Sequence, residues 1–311
     1  MNSNKKFFSN IGFNYLIFLI STLIFQIILI NILGTVNSDL ANNFNIITIL
    51  SSICNYILPF PILLFLMRKL ESEKLEKHPL SIKTFIIYIC ITFTLIWIGN
   101  IIGLAVTYLI GTSIQAEVSN PIQELINTTD IWLNLILISI IAPIFEEIFF
   151  RKLLIDRTIK YGAAISIILS ATIFGLMHGN LNQFFYAFLM GGFLAYVYIK
   201  TGKITYTILL HMIVNLMGSV ISLIIVESAE AMAQGAYTTF DISLLLVYLI
   251  FIVIVLIVGV VGLAKFKKSE LDKYKPKIEL KQPLKTAFMN YGMVCFIAFT
   301  IALIIYQIGI I

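Results

Sequence analysis

Long apolar runs separated by short polar stretches dominate this chain, falling at about 13–33, 47–67, 84–110, 131–150, 163–178, 183–199, 204–226, 242–264 and 287–310. Most reach the roughly 20 residues that an α-helix needs to cross a bilayer. None alternates with a period of two, which excludes barrel strands; helices, which satisfy their own backbone polar groups in lipid, are predicted throughout. The expected fold is therefore all-α, a polytopic transmembrane bundle of eight or nine helices. Composition points the same way: 59% of the 311 residues are hydrophobic and 12% charged, too much apolar surface for a water-soluble core.

Charge orients the predicted bundle. The N-terminus with Lys5 and Lys6, together with 68–83, 151–160, 200–203 and 265–285, holds every Lys and Arg. The alternate loops carry acids alone: Asp39, then Glu117, Glu124 and Asp130, then Glu227, Glu230 and Asp241. The positive-inside bias thus places the basic loops and the N-terminus in the cytoplasm. An integral protein of a bacterial plasma membrane is expected, in contact with lipid, and the net charge of +5 is a topology signal with no nucleic-acid partner implied. The 265–285 loop is basic enough to lie against anionic lipid. Cys54, Cys90 and Cys295 sit in three different runs with no CxxC spacing and read as small buried hydrophobes. Gly99 and Gly103 offer a small-xxx-small face for helix contact.

The candidate chemistry is confined to one block. Ionisable residues within the apolar runs or at their ends are Glu146, Glu147, Arg151, His178 and His211, and a charge in hydrocarbon costs roughly 2.5 to 3.5 kcal/mol even on lenient insertion scales. The chain accordingly divides into N-terminal helices at 1–130, a functional core at 131–226 and C-terminal helices at 227–311, with the flanks read as lipid-facing packing. On a helix Glu147 and Arg151 share a face in the favourable acid-before-base order, while Glu146 is rotated by about 100° and free to face a cavity. Interfacial pairing beside Lys152 is the plainer alternative for Glu147 and Arg151. Pro143 removes a donor, frees the carbonyl of Ser139 and predicts a kink. Phe174 and His178 lie one turn apart, as do His211 and Asn215. Imidazole and carboxylate together can activate water or bind a metal, and Asn215 can donate to an oxyanion or simply bridge helices, as Asn55 and Asn100 can.

These residues, EEIFFR at Glu146–Arg151, FGLMH at Phe174–His178 and HMIVN at His211–Asn215, resemble the EExxxR, FxxxH and HxxxN signature of the CPBP intramembrane proteases. That family comprises CAAX prenyl endopeptidases and bacteriocin-processing, Abi-type proteins. The resemblance implies an endopeptidase acting on a membrane-associated peptide or protein, with a site open from the cytoplasmic side. It implies that Glu146 and His178 activate water, that His211 and Asn215 stabilise the oxyanion, and that Glu147, Arg151 and Phe174 support them. Glu146, His178 and His211 also form a possible zinc set, although the HExxH helix is absent and a coordinating Glu146 would not be free to act as base. Metal-free water activation is the preferred reading, and no cofactor is required by it. The alternatives are a non-catalytic protein of the same fold in bacteriocin self-immunity or scaffolding, and a transporter. One difficulty attends a fifth helix running straight from Lys160: His178 would lie some 25 Å along it while Glu146 stays near Arg151, so the two meet only if the interface lies nearer Arg157, with Arg151 buried on Glu147, or if the pair from 163 to 199 is tilted or partly re-entrant.

Overall fold

The computed structural model describes residues 3–115, 118, 120–265 and 274–309; Glu117 and residues 266–273 of the basic loop lie outside them. Every regular element among the described residues is a helix, without strands. We label the helices α1 (Ser3–Val36), α2 (Phe44–Met67), α3 (Ile82–Ile114), α4 (Pro121–Thr128), α5 (Ile131–Tyr161), α6 (Ala163–Met177), α7 (Leu181–Thr201), α8 (Ile204–Ala233), α9 (Thr239–Ala264), α10 (Pro283–Phe288) and α11 (Tyr291–Ile308). Eight of these, all but α4, α6 and α10, are long and apolar enough to cross a membrane. The protein is an all-α polytopic bundle.

The basic loops gather at one end. The Glu73 amide donates to the Asp156 carbonyl, the His78 amide to the Thr201 carbonyl, and the amides of Lys277 and Ile278 to the Lys160 carbonyl. Ion pairs reinforce the same end, Lys160 with Glu71 at 3.2 Å and Lys277 with Glu73 at 2.8 Å. The N-terminus joins them through Phe7, whose ring lies 5.2 Å from that of Tyr161. At the opposite end Asn45 bonds Asp130 and the hydroxyls of Thr48 and Thr129 meet at 3.2 Å. The partition of lysine and arginine along the sequence is thus a partition in space.

Glycines set the closest helix crossings. A Cβ on Gly99 would stand 2.3 Å from Cα of Tyr186, and one on Gly103 2.9 Å from the Asn182 carbonyl oxygen, so α3 meets the start of α7 backbone to backbone. Gly99→Val is expected to lower stability by about 1 to 3 kcal/mol, the usual cost of overpacking, and thermal unfolding in detergent checks it. A similar crossing joins α1 to α11 at Gly12 and Gly292, which no local spacing announces. Cys54 and Cys90 are buried, as expected, but Cys295 is exposed on α11.

Candidate active site

The fourth apolar run does not stop at 150. Helix α5 continues to Tyr161, and Arg151 is fully buried, which removes the interfacial reading of its pair with Glu147. Gly162, at φ +100°, then turns the chain into α6, which ends at His178. Glu146 and His178 are equally far from Gly162 along two packed helices, each about 22 to 24 Å from the turn at 1.5 Å per residue, so they arrive level. That is how the difficulty posed by a straight fifth helix is resolved.

Two stretches of α5 are wound with π-register, Asn134–Ile141 and Ile148–Leu153, flanking the glutamates. The amide of Ala142 accordingly donates to Leu137, five residues back. In that register the missing donor of Pro143 orphans the carbonyl of Ile138 and not, as expected from an α-helix, that of Ser139. The amide of Asn215 fills the place, donating to the Ile138 carbonyl at 2.9 Å. Ser219 ties the same two helices by donating to the Asn215 carbonyl at 2.8 Å and by meeting Ser139 at 2.9 Å.

The titratable side chains converge. His211 Nδ1 lies 2.9 Å from Glu147 Oε1, and His211 Nε2 lies 3.7 Å from Glu146 Oε2. The carboxylate accepts from Nδ1–H, which leaves Nε2 as the nitrogen on the Glu146 side. Glu147 also reaches Arg151 Nε with its other oxygen at 3.1 Å, both side chains wholly buried. It therefore bridges Arg151 to His211, a link that a four-residue spacing within one helix does not reveal. His178 turns Nδ1 to the Phe174 carbonyl at 2.8 Å, leaving its Nε2 free. The Phe174 ring stands at the centre: the guanidinium of Arg151 lies 4.6 Å over it, and His178 and His211 meet it edge to face at 4.9 and 5.8 Å.

Glu146, His178, His211 and Asn215 all line one cavity of about 590 Å³. Tyr56 joins them by donating to Glu146 Oε1 at 2.8 Å. Sequence reasoning missed it, because a lone tyrosine in an apolar run carries no spacing signal. The flanking helices are thus not only lipid-facing packing: α1 contributes Phe18 and Gln26 to the wall, and α2 contributes Asn55 and Tyr56. Gln26 donates to Asn55 at 2.8 Å, so Asn55 does bridge helices, while Asn100 faces the cavity.

The position of the cavity departs from the expectation. Glu146 sits midway along α5, about 22 Å from either end. From there the cavity runs past Asn100 and Gln26 to Asn120, Gln123 and Leu125 around α4. Its described lining includes no residue of the basic loops at 68–83, 152–160, 200–203 or 274–285. The expectation of an opening on the basic-loop side is not met, because α5 and α6 bury Arg151, Leu154 and Ile155 in packed core below the site. Among the described residues no group of three His, Cys, Asp or Glu side chains is gathered as a metal site, and no step is drawn through a metal.

Comparison with known proteins bears on this arrangement. The family model described as "Type II CAAX prenyl endopeptidase Rce1-like" matches residues 128–217, the stretch that carries all three motifs. Over that stretch the chain is similar to the type II CAAX prenyl endopeptidases. A protein of Bacillus subtilis (strain 168) named "Putative membrane peptidase YdiL" is 28% identical over 170 residues, covering 53% of this chain and 68% of that protein. No solved structure matches. Together with the eight apolar helices, these similarities describe a membrane protein with a CAAX-protease-like segment at 128–217.

Proposed function

We propose that the chain is an intramembrane endopeptidase that hydrolyses a membrane-associated peptide or protein with water activated by Glu146 and His178. The observation that carries this reading is the convergence of Glu146, His178, His211 and Asn215, from three separated segments, on one cavity. The block 131–226 is its catalytic core, and 1–130 and 227–311 complete the wall and the packing.

In this scheme water sits between Glu146 and the free Nε2 of His178. Its oxygen attacks the scissile carbonyl carbon and its proton passes to Glu146. The second amide hydrogen of Asn215 is a donor for the oxyanion, beside His211 Nε2. Collapse breaks the C–N bond, and the amine leaves with the proton held by Glu146. Glu147 orients His211 through Nδ1, so it acts on the oxyanion side of the site and not directly on Glu146.

The test is cleavage of a membrane-tethered peptide library by purified protein, compared with Glu146→Ala. Cleavage confined to wild type is the expected result; none by either protein removes the peptidase reading. Activity is further expected to survive exhaustive chelation, and loss on chelation with recovery on adding zinc would favour the metal scheme instead. Asn215→Ala is expected to lower kcat by about 10² to 10³, as for loss of one oxyanion donor. It also strands the Ile138 carbonyl, at about 1 to 3 kcal/mol of stability. A variant that loses only stability, with wild-type kcat, would reduce Asn215 to a helix bridge.

A further inference from the structure

The cavity holds a polar wall well beyond the catalytic groups, and that wall is uncharged. Gln26, Ser51, Asn55, Asn100, Asn120 and Gln123 supply amides and hydroxyls along its length. Among its described lining residues the charged or imidazole groups are Glu146, His178 and His211 alone; lysine and arginine contribute nothing. A side-chain oxygen of Asn120 is buried there without a hydrogen-bond partner. An extended peptide brings one N–H and one C=O per residue, each needing a partner once out of water, and neutral amides and hydroxyls serve both. A free C-terminal carboxylate calls for a cation, and the wall offers none.

Direction adds a second constraint. The cavity reaches α4, next to the loops that carry only acids, while no described residue of the lysine- and arginine-rich loops at 68–83, 152–160, 200–203 or 274–285 lines it. Basic loops stay on the cytoplasmic side. We infer that the site receives its substrate from the extracytoplasmic side of the membrane, as an internal, uncharged, extended segment and not as a free C-terminus. This deepens the peptidase reading and rests on it.

Two measurements test it. In a background with Cys295→Ala, a membrane-impermeant maleimide added to intact cells is expected to label Gln123→Cys, an exposed position on α4, and to label Lys74→Cys, exposed in the basic loop, only after permeabilisation. The reverse pattern overturns the inference, and it does so whether or not the protein is a peptidase. In detergent, a library of neutral peptides is offered twice, with a C-terminal amide and with a free carboxylate placed a few residues beyond each candidate bond. The amidated forms are expected to be cleaved with roughly 10- to 100-fold higher kcat/KM, the cost of drawing an unpaired charge into the cavity. Preference for the free acids overturns the substrate class. Failure of wild type to cleave either form overturns the peptidase reading and the substrate class with it, while the labelling result still decides which side the cavity opens to.

Discussion

Glu146→Gln is expected to lower peptide cleavage by about 10² to 10⁴, the usual contribution of a positioned general base, while the protein folds as wild type does. Glutamine keeps the shape of glutamate and retains a carbonyl oxygen to accept from Tyr56, the bond that Glu146 Oε1 now receives. The side chain also reaches the cavity, where an amide is solvated as readily as a carboxylate. The loss should therefore fall on kcat and leave the thermal midpoint in place. His178→Ala should do likewise, since its Nδ1 bonds only the carbonyl of its own helix. Turnover measured beside unfolding in the same detergent checks both, and full cleavage by Glu146→Gln would sink the mechanism.

The second large effect is one of stability. Arg151→Ala is expected to cost about 3 to 5 kcal/mol, because it leaves Glu147 as an uncompensated buried charge. The pair is tight at 3.1 Å yet lies off the hydrogen-bonding axis, and the terminal guanidinium nitrogens have no hydrogen-bond partner, resting over the Phe174 ring instead. Such a pair holds mainly by charge, so removing both charges should be tolerated far better than removing one. Glu147→Gln with Arg151→Met is expected to recover much of the stability but little of the activity, since the carboxylate that turns His211 is gone. Equal recovery of both would mean that Glu147 has no part in the chemistry.

What the sequence made legible was whatever repeats within a helix. The pairs Glu147–Arg151, Phe174–His178 and His211–Asn215 are all one turn apart, and the structure places each pair on a common face. The bundle and its two-ended charge pattern were legible for a similar reason, because lipid imposes length and sidedness on every segment alike. What failed to show was contact between distant segments. Tyr56 meets Glu146 across 90 residues and Glu147 meets His211 across 64, with no periodicity to mark either. Pro143 was visible, but the register of the helix around it was not, so the orphaned carbonyl was placed one residue away. The direction of the cavity depends on how α4 and the first two helices close around it, and hydropathy is blind to that.

Gly162 gives the spacing of the motifs a meaning of its own. With a fixed turn between two arms of equal length, the stretch from Glu146 to His178 behaves as a folded ruler whose marks must coincide. One residue added to either arm would slide its end by about 1.5 Å and swing it by about 100°. A length change in a single arm therefore misaligns the reacting groups even if every side chain named here is kept. In this fold the count of residues between two motifs is itself part of the active site.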